Sequence, residues 1–115
     1  MSDAPVLGGI HRMENLDTAD DFTKKHTPYV ECTREGDVCV VEMAVGHYAP
    51  HPNLPDHFFE YFDLYANGVS IARYSLSAVA VSPRITATLT LDPGTKLTVL
   101  ASCNLHGVWA ADITT

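Results

Sequence analysis

Cys103 and His106 place a thiolate and an imidazole on one short stretch, with two residues between them and Gly107 behind. A turn closed by that glycine can aim both side chains at one metal ion. Upstream, His51-Pro52-Asn53-Leu54-Pro55-Asp56-His57 offers two more imidazoles, and Lys24-Lys25-His26-Thr27-Pro28 offers a fourth. Each donor has an ordinary alternative. A cysteine that ends an apolar strand can simply pack, and His57 or His26 can be a satisfied, half-buried histidine. His51 is harder to explain that way, because Pro50 and Pro52 fix the backbone around an imidazole that cannot be strand core. Taken together, four nitrogens and one sulfur exceed a structural zinc site, which closes at four and is usually thiolate-rich. Imidazole suits iron, copper, nickel and zinc, so the ligand set leaves the ion open. Four nitrogens in a plane with sulfur on the axis would leave one position free for chemistry.

The elements that must hold these donors read as short strands. Pro28 suits the first residue of a strand over Tyr29 to Thr33. Arg34-Glu35-Gly36-Asp37 is a tight turn, and Val38 to Val45 a second strand whose face of Cys39, Val41, Met43 and Val45 is wholly apolar and therefore buried. With Glu35-Gly36 as the loop, Cys32 and Cys39 sit opposite one another, about 5.5 Å apart, which is within disulfide range. Two reduced core cysteines fit the same residues. Gly46 to Asp56, with three prolines, is a long loop, and long loops on rigid scaffolds carry function. His57 to Ala66 is an aromatic-rich strand, Asn67-Gly68 a hairpin turn, and Val69 to Val81 one or two further strands. Arg84 to Leu91, Lys96 to Ser102 and Val108 to Thr114 complete the set. About seven strands and no long helix predict an all-β antiparallel sandwich. Residues 1–23 read as a loosely structured N-terminal arm with a turn of helix near Asn15 to Phe22, and 24–115 as the domain. His11, in the arm, reads as an exposed imidazole without a role.

The chain has 115 residues, 46% apolar and 18% charged, as expected for one globular domain. A formal charge of −7 argues against nucleic-acid binding, which wants a basic face. No apolar run approaches the roughly 20 residues of a membrane helix. The first residues lack a basic start followed by an apolar block, so the expected compartment is the cytoplasm. Three cysteines leave at least one thiol free or bound to metal.

Val45-Gly46 followed by Pro50-His51-Pro52-Asn53 and His57, the segment Lys25-His26-Thr27-Pro28, and Cys103-Asn104-Leu105-His106-Gly107-Val108-Trp109 resemble the superoxide reductases. The likeness is to the one-iron kind, the neelaredoxins, and spans residues 24 to 114. The two-iron desulfoferrodoxins add an N-terminal domain with four cysteines, whereas here no cysteine precedes Cys32. The resemblance implies an immunoglobulin-like, seven-stranded antiparallel β-sandwich with one mononuclear non-haem iron. His26, His51, His57 and His106 would be its equatorial ligands and Cys103 the axial one. It implies one-electron reduction of superoxide to hydrogen peroxide, electrons from a small donor such as rubredoxin, and a homotetramer.

The thiolate would push electron density onto the iron, and the backbone N–H groups of Leu105 and His106 are candidates to temper it by hydrogen bonding to sulfur. Lys25 matches the family's lysine, placed to attract the anion and order water for protonation. The family pattern before the first histidine is Glu-Lys-His; here it is Lys24-Lys25-His26. A glutamate that closes the sixth position of the oxidised iron is therefore replaced by a cation, Lys24, which cannot do so. Lys24 is a second candidate for steering the anion. Two readings of other classes stand beside this one: a metal-stabilised β-sandwich serving as a binding module, and an electron carrier without substrate chemistry.

Overall fold

Alternating apolar residues on short β-prone runs build two packed sheets in this protein, seen in a computed structural model that describes residues 9–115. The expected arm begins outside the described residues. The elements are β1 (Ile10–Arg12), α1 (Asp21–His26), β2 (Tyr29–Glu35), β3 (Val38–Ala44), β4 (Phe59–Ala66), β5 (Val69–Ser75), β6 (Arg84–Thr90), β7 (Lys96–Cys103) and β8 (Gly107–Thr114). One sheet has the order β1-β8-β7-β4-β5 and the other β2-β3-β6. All pairings are antiparallel except β1 with β8. The expected all-β sandwich is therefore present, with the short β1 added at an edge.

The core lies between the sheets. Cys39, Val41 and Met43 face it from β3, and Phe62, Leu64, Leu97, Val99 and Ala101 face it from β4 and β7. The period of two on β3 thus places the buried face as read from the sequence. On β4 the period breaks: the ladder to β7 slips between Phe59 and Tyr61, so that Glu60 is an extra residue and both Phe59 and Phe62 turn inward. Such bulges re-aim side chains and recur beside functional sites.

Several local expectations are corrected. The β2–β3 loop is Gly36-Asp37 and not Glu35-Gly36. Gly36 takes a φ of +62° at the first loop position, as a II′ turn requires. That register sets Cys32 against Val41 and Cys39 against Arg34, and both cysteines are free. The strand expected from His57 begins at Phe59, because His57 instead closes a turn with Leu54. Val69 to Val81 yields one strand ending at Ser75; beyond it the chain turns through Val79, whose φ is +67°. The helical turn expected near Asn15 to Phe22 forms later, over Asp21–His26. Asp20 caps it by accepting the N–H of Thr23 at 2.8 Å, and Pro28 stops it. His26 is therefore the last residue of a helix.

Candidate metal centre

Three segments meet at one end of the sandwich: the last turn of α1, the loop between β3 and β4, and the β7–β8 hairpin loop. Each delivers its donors for a local reason. The hairpin pairs Cys103 with Gly107 and leaves Asn104, Leu105 and His106 as the loop. Gly107 closes it with a φ of +84°, where a side chain would be strained. The turn Leu54-Pro55-Asp56-His57 is held by reciprocal bonds, His57 N–H to Leu54 O at 3.1 Å and Leu54 N–H to His57 O at 2.9 Å.

The potential ligand atoms of His26, His51, His57 and Cys103 all lie within 4.8 Å of one another. His106 stands beside this group. Its ring centroid is 5.0 Å from that of His26 and 5.2 Å from that of His57. The circuit closes through His51, which is 4.8 Å from both His26 and His57. Neighbouring rings stand 73° to 86° apart, so the four imidazoles form a closed circuit of edge-to-face neighbours, with the ligand atom of His106 outside the tighter group. The Cys103 sulfur lies 3.7 Å from His51 Nε2. That imidazole is its hydrogen-bond-range partner among the described residues, where the sequence suggested the N–H groups of Leu105 and His106.

The tautomers follow from the carbonyls the rings touch. His26 Nδ1 lies 2.7 Å from the carbonyl oxygen of Phe22, and His51 Nδ1 lies 2.7 Å from that of Pro52. A carbonyl only accepts, so both Nδ1 atoms carry hydrogen, and a neutral ring then presents a lone pair at Nε2. The Nε2 atoms of His26 and His57 are buried without any hydrogen-bond partner. Orphaned buried nitrogens are costly unless something absent from the chain satisfies them. Burial is the main cause that pushes the His51 imidazole down to about 4; the Pro52 carbonyl opposes it, and the nearby Lys25 charge adds to it. Burial likewise lowers His26. Both rings are thus neutral near pH 7 and free to donate to a metal. A soft thiol among imidazoles is a donor set that fits iron, as it also fits copper, nickel or zinc.

Lys25 is held near this circuit by an i,i+4 ion pair, its Nζ 3.4 Å from an Asp21 carboxylate oxygen. Its charge reaches both His26 and His51. Lys24 shares the helix and is half-buried. His47 is elsewhere, stacked on Tyr29 at 3.8 Å. The sequence reading missed three supporting residues. Phe22 gives His26 both a carbonyl and a ring, 4.5 Å between centroids, and its position one helical turn earlier was the available signal. His11, given no role, lies over Trp109 at 4.6 Å because β1 pairs with β8. Asn104, in the hairpin loop, bonds to the backbone around His57.

The desulfoferrodoxin family profile matches residues 18–112. A superoxide reductase of Pyrococcus horikoshii is 31% identical over 109 residues, covering 87% of this chain and 95% of that one. Among solved structures, the superoxide reductase from Nanoarchaeum equitans has a TM-score of 0.77 at 27% identity, covering 93% of this chain and 100% of its own. The superoxide reductase (neelaredoxin) from Ignicoccus hospitalis has a TM-score of 0.76 at 28% identity, covering 91% and 92%.

Proposed function

The chain belongs to the desulfoferrodoxin family, and from that premise we propose that it is a superoxide reductase. It reduces superoxide by one electron, with two protons, to hydrogen peroxide at a single non-haem iron. His26, His51, His57 and His106 would hold the iron together with Cys103. The observation that carries this reading is the cluster of His26, His51, His57 and Cys103 ligand atoms, with the His106 ring completing a circuit of four imidazoles. When bound, the iron supplies the single electron.

The chain supplies the rest. Burial keeps His26 and His51 neutral, so the site accepts a cation without first losing protons from those rings. Lys25 Nζ attracts the anion against the overall negative charge and orders the water that delivers protons. Lys24 stands where the family has a glutamate, so that position would offer the oxidised iron no carboxylate. A small one-electron carrier such as rubredoxin restores the electron. We place the iron-holding part of the domain at 24–115, with β1 and the first turn of α1 contributed by the segment before it, and assign the protein to oxidative-stress defence as a cytoplasmic homotetramer.

The test is a visible absorption spectrum of iron-loaded protein before and after oxidation. A colourless reduced form that turns blue, by charge transfer from thiolate to ferric iron, is expected, and Cys103→Ser should abolish the band. No such band in the unmutated protein would return the chain to a zinc-stabilised or metal-free binding module. Reaction with superoxide, slowed in Lys25→Ala, then separates the reductase from an electron carrier.

A further inference from the structure

Asn104 follows Cys103 in the chain and makes three hydrogen bonds, all to residues that flank His57. Its backbone N–H donates to Phe58 O at 3.0 Å. Its side-chain Oδ1 accepts the N–H of Phe58 at 2.9 Å, and its Nδ2 donates to Asp56 O at 2.9 Å. Among the described residues, the backbone of His57 itself bonds to Leu54. The β4–β7 ladder slips at the Glu60 bulge, resumes with Phe59 opposite Cys103 and ends there. The Asn104 backbone continues it by one bond to Phe58, and the side-chain amide carries the link past the ladder's end to the residues on both sides of His57.

An asparagine suits this place, because one short side chain carries both an acceptor for Phe58 and a donor for Asp56. Aspartate keeps the first bond and loses the second, while alanine loses both. We propose that Asn104 is a positioning residue that fixes the His57 imidazole relative to the Cys103 thiol, and thereby sets how tightly the site holds its metal. This rests on the metal-centre reading above. It adds a residue that touches no metal, joining two segments far apart in sequence.

The test uses cobalt(II) as probe, titrated into metal-free protein in competition with a chelator and followed by the sulfur-to-cobalt absorption band. Unmutated protein, Asn104→Ala and Asn104→Asp are compared, and the melting temperature of each metal-free form is recorded. Loss of a group that orients metal ligands typically loosens a metal by about 10- to 100-fold. Asn104→Ala is expected in that range with a shifted band, and Asn104→Asp between it and the unmutated protein. The metal-free melting temperatures should fall much less than the affinities. Affinities within twofold and an unchanged band in both variants would overturn the proposal. So would a loss of affinity that merely follows a loss of the metal-free fold. If Asn104→Ala does not fold, Asn104→Asp decides by the same criteria. Failure of the unmutated protein to bind cobalt would remove the metal centre itself, a result distinct from variants that bind as it does.

Discussion

The indole of Trp109 is stacked on the imidazole of His26, with ring centroids 5.2 Å apart and planes 24° from parallel. Its Nε1–H donates to the carbonyl of His106 at 3.1 Å. One buried side chain on β8 thus supports a histidine from the helix and the loop that carries another. Removing it as Trp109→Ala leaves a large void and should cost about 3–5 kcal/mol. Trp109→Phe keeps a ring and loses one hydrogen bond, which costs about 1 kcal/mol. Urea unfolding of the metal-free proteins should rank them in that order, with metal affinity following.

Lys25 and Lys24 share the last turn of α1, but only Lys25 is ion-paired along the helix and felt by His26 and His51. Local positive charge beside an open site raises the encounter rate with an anion about tenfold or more. Lys25→Ala should therefore slow the second-order reaction with superoxide about tenfold. The remaining rate should depend less steeply on ionic strength. Lys24→Ala should have a smaller effect. Stopped-flow measurements at two salt concentrations would check both, and equal effects of the two variants would deny Lys25 a special place.

Arg12 on β1 meets Asp112 on β8 at 3.2 Å, beside a 2.6 Å bond from Thr98. Burial alone would push the Asp112 carboxyl up. The bonds from Thr98 and Arg12 and the charge of Arg12 outweigh it and hold the group below the usual carboxylate range. A carboxyl depressed by folding stabilises the protein above its unfolded pKa of about 3.9. That contribution fades as pH falls through the lower folded value. Asp112→Asn should be less stable at pH 7 by about 0.5–1 kcal/mol, because its partner Arg12 is half-exposed and the pairing is screened by solvent. The gap should close below about pH 4, as seen in melts of metal-free protein.

Val79 carries a β-branched side chain at a φ of +67°, and its N–H donates to Asn53 Oδ1 at 2.8 Å. The left-handed conformation costs an L-residue roughly 1–2 kcal/mol, and asparagine tolerates it best after glycine. Val79→Asn should therefore stabilise the protein by about 1 kcal/mol, raising the melting temperature by a few degrees. The side chain is exposed, so the spectrum of the metal centre should not change.

The sequence by itself determined the donor types, the strand periods and the sharpest turns. Cys39, Val41 and Met43 had to share a buried face because a strand alternates sides. Asn67-Gly68 had to turn because both residues accept positive φ, which they show at +48° and +83°. The cap and stop signals of α1 were equally present in Asp20 and Pro28, yet six residues of helix are too short to show a period. Only the tertiary structure decided that donors from three segments face one another, because their separation in sequence spans His26 to His106 and no local rule relates them. It also decided the parts without periodicity. These are the bulge at Glu60, the amide of Asn104 bridging two loops, and the edge strand that brings His11 over Trp109. Each depends on a partner distant in the chain, and a hydrogen bond or a stacked ring leaves no mark on the spacing of the residues that make it.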